Sequence, residues 1–361
     1  MAPDQLLSKT IHFLRFPLIF SVVVSHTNFV GTIIDGVDYV QTGMYPIYDF
    51  IYCLVKQELA SFDVTTFFFF AGFLFFYKAD FTQTTYVNKL KNRVHTLLIP
   101  YLFWNALVLA MMIGGNLLLT GLTSGSNQLL ASKSITEWLN MFWSYKLDAP
   151  VASQFWFIRD LMMMGIFSPL LYMAVRYLKW IWIPLVGCLW IAGITLPVTG
   201  FSLTAIFFFS LGAWFSIHKV NFATLFLPMR KVLLAVFLVL VGVNMALWYA
   251  DLKPIYDIVH NINVLVGMAA AIGWVARGNE LEKIHISEKI AGATFFVYAY
   301  HLLAVFFCQK VWLKLFQPVN EVSLVVGYFV IPVLIAAVGV GLYHLFHKIS
   351  SRFTAIITGG R

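Results

Sequence analysis

Arg15 and His26 stand in one apolar stretch, Ile11-His12-Phe13-Leu14-Arg15-Phe16-Pro17-Leu18-Ile19-Phe20-Ser21-Val22-Val23-Val24-Ser25-His26. In a helix, the eleven steps between them, at about 100° each, come within about 20° of three full turns. The two side chains therefore share a face, roughly 16 Å apart along the axis. A guanidinium and an imidazole on one face of an apolar helix are expensive to keep, and by default they mark a functional site. The imidazole is the side chain best poised for general-base work near neutral pH. Two blander readings stay open. Arg15 could be an anchor whose head snorkels to the lipid headgroups, and His26 could be held in an interhelical hydrogen bond.

Three further groups of residues could carry chemistry. The run Lys89-Leu90-Lys91-Asn92-Arg93 leads into Pro100-Tyr101. Such a cluster before an apolar segment sets topology or meets anionic lipid, or it holds phosphates through charge-assisted bonds. Gln154-Phe155-Trp156-Phe157-Ile158-Arg159-Asp160 opens another apolar run. Arg159 and Asp160 are adjacent, so on a helix they point about 100° apart and need not pair with each other. Near the end of the chain, Tyr298 and His301 are three residues apart and share a helix face. No nucleotide-binding loop and no G-x-S-x-G is present. His344 and His347 lack an acidic companion, so no metal site is expected.

The composition says what must position these groups. Of 361 residues, 60% are hydrophobic and 11% charged, and the mean hydropathy is +0.83. A soluble chain carries about a quarter charged residues, so this is an all-α integral membrane protein with many spans. The 35 Phe and 11 Trp suit a lipid-facing surface with aromatic belts. Cys53, Cys188 and Cys308 are far apart, without metal or disulfide spacing. No small-residue cleavage site follows the first apolar segment, which reads as a retained helix.

Apolar runs fall at about 11–31, 61–77, 96–119, 155–176, 180–197, 201–217, 231–250, 256–276, 288–313 and 322–347, which predicts about ten transmembrane helices. With the N-terminus inside, Lys56, Lys133, Lys146, Arg159, Lys253, Lys310 and Lys314 fall outside, seven of the 24 basic residues. The other seventeen lie inside, which supports both termini being cytoplasmic and accounts for the +8 net charge without nucleic acid. The whole of 1–361 reads as one transmembrane domain with longer extracytoplasmic loops at 32–60 and 120–153. The stretch 48–55 could form a helix at the interface. The run of Phe67 to Phe70 before Gly72 reads as lipid contact and packing, with Gly72 letting two helices approach.

These pieces, in this order, resemble the acyltransferase 3 family of integral membrane O-acyltransferases. The matching residues are Arg15 and His26, the Phe-rich 68–73, Arg93 with Pro100-Tyr101, Trp156-Phe157-Ile158-Arg159, and Tyr298 with His301. The resemblance runs from about 9 to 345. Ala71 departs from it where the family usually has Ser, which removes a hydroxyl but not the close packing at Gly72. The resemblance implies transfer of an acyl group, often acetyl, from cytosolic acyl-CoA. The acceptor is a hydroxyl of a surface glycan or a lipid-linked saccharide, and the setting is the inner membrane of a bacterial-type cell. No hydrolase-like domain is fused, as in stand-alone members. In that light Arg15, Arg93 and Lys91 would hold CoA phosphates. His26 would deprotonate the acceptor or carry the acyl group transiently. Arg159, Tyr298 or His301 would stabilise the oxyanion or orient the acceptor. Two other classes compete. One is an exporter or flippase of a glycan or lipid-linked saccharide that uses the histidines as a proton relay, and the other is a scaffold without chemistry.

Overall fold

The structure, a computed structural model, describes residues 1–78, 80–118, 134–144 and 149–360. It is helical but for one two-residue hairpin, β1 (Ile33–Ile34) and β2 (Val37–Asp38), paired antiparallel with Ile33 opposite Asp38. The Ser/Thr/Gly/Asn-rich start of the expected loop at 120–153, and Tyr145, lie outside the described residues.

The helices are α1 (Pro3–His26), α2 (Pro46–Tyr52), α3 (Asp63–Phe76), α4 (Gln83–Arg93), α5 (Ile99–Leu118), α6 (Ile135–Trp143), α7 (Trp156–Ile166), α8 (Ser168–Tyr177), α9 (Trp182–Ile191) and α10 (Leu203–Ile217). They continue as α11 (Phe222–Tyr249), α12 (Lys253–Glu280), α13 (Glu288–Gly292), α14 (Thr294–Leu315), α15 (Glu321–Ile349) and α16 (Ser351–Thr358). Every apolar run expected from the sequence contains a helix, but not every helix is long enough to cross. Among the described residues seven segments are: Pro3–His26, Pro46–Phe76, Gln83–Gly114, Phe222–Tyr249, Lys253–Glu280, Thr294–Leu315 and Glu321–Ile349. The pair α7 and α8 would make an eighth, but it bends by 66° just before Pro169, which lacks the amide to continue the ladder. With 10 and 15 residues, α9 and α10 reach about 15 and 22 Å, short of the roughly 30 Å hydrocarbon core.

Residues 46–59, expected within an outer loop, are helical and run toward α3. Between α2 and α3 the chain winds as a π-helix over Cys53–Leu59. Such stretches are uncommon and often accompany function.

Helix α1 lies in the middle and packs on α3, α11, α12, α13, α14, α15 and the π-helical stretch. Its neighbour α3 meets α10 backbone to backbone. A Cβ on Gly72 would overlap the Phe209 carbonyl, and a Cβ on Gly212 would overlap the Phe69 carbonyl. The close approach expected at Gly72 is therefore reciprocal. It seats Phe68, Phe69, Phe73, Phe208 and Phe209 in the core, fully buried or nearly so, and these phenylalanines pack rather than meet lipid.

Candidate active site

The stripe that begins with Arg15 and ends with His26 borders open space. His12, Arg15, Ile19 and Val22 of α1 line a cavity of about 450 Å³, closed on other sides by α3, α7, α13 and α14. Their spacing places His26 next on the same face, one turn beyond Val22. Arg93 and Glu288 join His12 and Arg15 at the mouth, while Phe67, Phe70, Ala71, Leu74, Phe157 and Leu161 make the walls apolar. Arg93 also stacks over Phe75, with its guanidinium carbon 5.6 Å from the ring centre. The site is thus cationic at the end where α1 begins and greasy along its length.

On α14, Thr294 and Tyr298 line the same cavity, and His301 continues that face. The two stripes converge beyond the cavity, where the His26 and His301 rings lie 5.2 Å apart at a 46° tilt. Their surroundings differ. His26 is exposed, whereas His301 is fully buried. His301 Nδ1 sits 2.6 Å from the Tyr298 carbonyl, an acceptor, so in a neutral ring Nδ1 carries the proton and Nε2 the lone pair. That Nε2 has no hydrogen-bond partner among the described residues. A buried acceptor left open beside an accessible imidazole is where a proton-bearing group from elsewhere fits.

Tyr298 braces the pair. Its hydroxyl donates to the Gln154 carbonyl at 2.6 Å, and Gln154 Nε2 donates back to the Ala299 carbonyl at 2.8 Å. Arg159 does not line the cavity. It is buried, and its Nε and Nη2 donate to Asp160 Oδ1 at 3.2 and 3.1 Å. Nη1 donates to the Trp143 carbonyl at 3.1 Å. The adjacent pair that the helix geometry left unpaired does pair, because the long Arg159 side chain folds back onto its neighbour. Asp160 Oδ2 also accepts from the Ser202 amide at 3.3 Å, so the ion pair ties α6, α7 and the start of α10 together. Lys91 is exposed on α4 and is not part of the lining.

Three charged residues of this neighbourhood escaped the sequence reading. Glu58, in the π-helical stretch, is fully buried. Its Oε2 accepts from Asn244 Nδ2 (2.7 Å) and Asn263 Nδ2 (3.0 Å), and its Oε1 accepts from the Tyr256 hydroxyl (3.0 Å). His260 Nδ1 lies 3.5 Å from Oε1. Lys56, two residues earlier, donates to the Tyr52 hydroxyl at 2.6 Å. Asp63, at the start of α3, is buried beside Ser21 and Ser25 of α1. The signal available was the acidic pair Glu58 and Asp63 flanking an apolar run.

The acyltransferase 3 family, described as an acyltransferase domain, matches residues 9–341. The chain belongs to this family. It is an acyltransferase and, with its apolar helices, a multi-pass membrane protein. It is also similar to a curated relative, the succinoglycan biosynthesis protein ExoH of Rhizobium meliloti (strain 1021). The two are 25% identical over 330 residues, which cover 88% of this chain and 84% of the relative. No solved structure matches it.

Proposed function

We propose that this acyltransferase moves an acyl group, acetyl in the first instance, from cytosolic acyl-CoA to a hydroxyl of a surface polysaccharide or its lipid-linked precursor. The carrying observation is the cavity that follows α1 from Arg15 and Arg93 to Val22 and Tyr298, about one helical turn short of the His26–His301 pair. A cationic mouth with a narrow apolar bore suits a donor whose phosphates are at one end and whose thioester ends a long slim arm. The similarity to a succinoglycan biosynthesis protein supports a polysaccharide acceptor. In this reading both termini face the cytoplasm, the protein resides in the inner membrane, and the His pair opens toward the outer side.

Arg15 and Arg93 hold the donor's phosphates through charge-assisted bonds. His26 takes the proton from the acceptor hydroxyl as its oxygen attacks the thioester carbonyl. The C–O bond forms, the C–S bond breaks, and the proton passes from His26 to the departing thiolate. His301, its Nδ1 proton fixed on the Tyr298 carbonyl, offers Nε2 to orient the hydroxyl or His26.

The test is purified protein with labelled acetyl-CoA and a saccharide acceptor. Transfer or donor hydrolysis is expected, and Arg15→Lys should raise the KM for acetyl-CoA about tenfold, since lysine lacks the two-pronged phosphate contact. An inert donor alongside saccharide flux across vesicles would overturn the reading in favour of an exporter or flippase.

A further inference from the structure

Two more cavities lie at the end where α1 begins, adjacent to the first. The larger, about 670 Å³, is formed by the ends of α3, α8 and α10 and the start of α11. A smaller one of about 170 Å³ shares Asp4, Leu7, Phe73 and Tyr77 with the larger, and His12, Arg15 and Leu74 with the cavity leading to His26. The three thus lie in series, from an open vestibule, beside Arg15, to the apolar cavity.

The vestibule has two kinds of wall. Tyr77, Phe81 and Tyr172 supply aromatic faces and Lys78, Arg176 and Lys219 supply cations, with Lys78 lying over the Tyr77 ring and Arg176 over the Tyr172 ring, whose hydroxyl it also meets. Two carboxylates, Asp4 and Asp80, share it. Asp4 is neutralised by Lys78 at 2.9 Å, and its hydrogen bond holds Lys78 above the ordinary lysine range. Ser216 Oγ, in the same lining, is buried without a partner among the described residues. Aromatic planes among exposed cations recognise a flat base bearing phosphate. A lipid headgroup would use the cations, but it would not use the rings or the small cavity beside Arg15.

We propose that this vestibule seats the nucleotide end of a coenzyme A thioester, with the adenine against the aromatic wall and the 3′-phosphate among Lys78, Arg176 and Lys219. The proposal rests on the donor reading above. The diphosphate then falls in the small cavity beside Arg15, and the arm enters the bore. Asp4 acts as a placeholder that Lys78 exchanges for phosphate.

The test compares acetyl-CoA with acetyl-3′-dephospho-CoA on the purified full chain. Wild type should show a KM about tenfold lower for acetyl-CoA. In Lys78→Ala with Lys219→Ala, both exposed positions, that preference should collapse to near unity. Asp4→Asn should shift the other way, lowering the KM for acetyl-CoA, a gain that mere loosening of the fold does not produce. A double variant that keeps the full preference, or raises both KM values equally, overturns the nucleotide seat while leaving the donor reading intact. Wild type inert toward both thioesters overturns both readings.

Discussion

Two buried polar centres sit near the end of the bundle where α1 finishes, and they are built on opposite principles. Around Glu58 each carboxylate oxygen is engaged, by Asn244 and Asn263 on one side and Tyr256 on the other. At His301 one nitrogen is fixed by Tyr298 and the other has no hydrogen-bond partner among the described residues, in a ring 5.2 Å from that of His26. The carboxylate itself is satisfied, and such buried hydrogen bonds specify how helices pack, although Asn244 Oδ1, Asn263 Oδ1 and His260 Nδ1 around it have no hydrogen-bond partner among the described residues. The open His301 nitrogen carries a desolvation cost that an incoming group repays. The Glu58 centre joins the π-helical stretch to α11 and α12. In the proposed mechanism the first centre is scaffold and the second is chemistry, although both look alike among the polar residues of apolar segments.

The sharpest way to break this contrast is His26→Ala. Loss of a general base should lower acyl transfer about 10²–10⁴-fold. The exposed ring makes no hydrogen bond among the described residues, so the thermal midpoint in detergent should move by no more than about 2–4 °C. Near-normal transfer in a well-folded variant would remove His26 from the mechanism. Glu58→Ala should show the inverse pattern. It strands two amides and a hydroxyl in the interior, a loss on the order of 3 kcal/mol at about 1 kcal/mol or more for each orphaned group. Activity per folded molecule should fall far less than in His26→Ala. Glu58→Gln, which keeps one acceptor oxygen, should lose less. If Glu58→Gln folds normally but abolishes turnover, the Glu58 centre is part of the chemistry and the contrast fails.

The sequence made one half of the site legible and hid the other. The shared face of Arg15 and His26 depends only on helix geometry, and α1 carries both onto the stripe that follows the cavity. The close approach at Gly72 was equally local, since a residue without a side chain in a Phe-rich helix has few other uses. What could not be read was which distant helices meet. The His26–His301 pairing joins segments 275 positions apart in the chain, set by how α14 packs on α1. The folding back of Arg159 onto Asp160 depends on the Trp143 carbonyl and the Ser202 amide as well as on the pair itself. The inward turn of Glu58 depends on a π-helical winding, which has no apolar period of its own to betray it. The lengths of α9 and α10 were not legible, because hydropathy reports apolar character and not where a helix stops.

Tyr298→Phe is the smallest change and the most discriminating. If the hydroxyl stabilised an oxyanion, removing it would cost about 10²–10³ in kcat. The geometry argues otherwise, because that proton is committed to the Gln154 carbonyl, and it is the Tyr298 backbone that holds His301. Phenylalanine keeps the ring, the backbone carbonyl and therefore the His301 tautomer. The expected outcome is a stability loss of about 1 kcal/mol from one orphaned carbonyl, with kcat lowered less than tenfold and the KM for donor unchanged. A hundredfold fall in kcat at unchanged stability would make Tyr298 a catalytic residue and would move the chemistry from the imidazole pair toward the end of the cavity that Tyr298 lines.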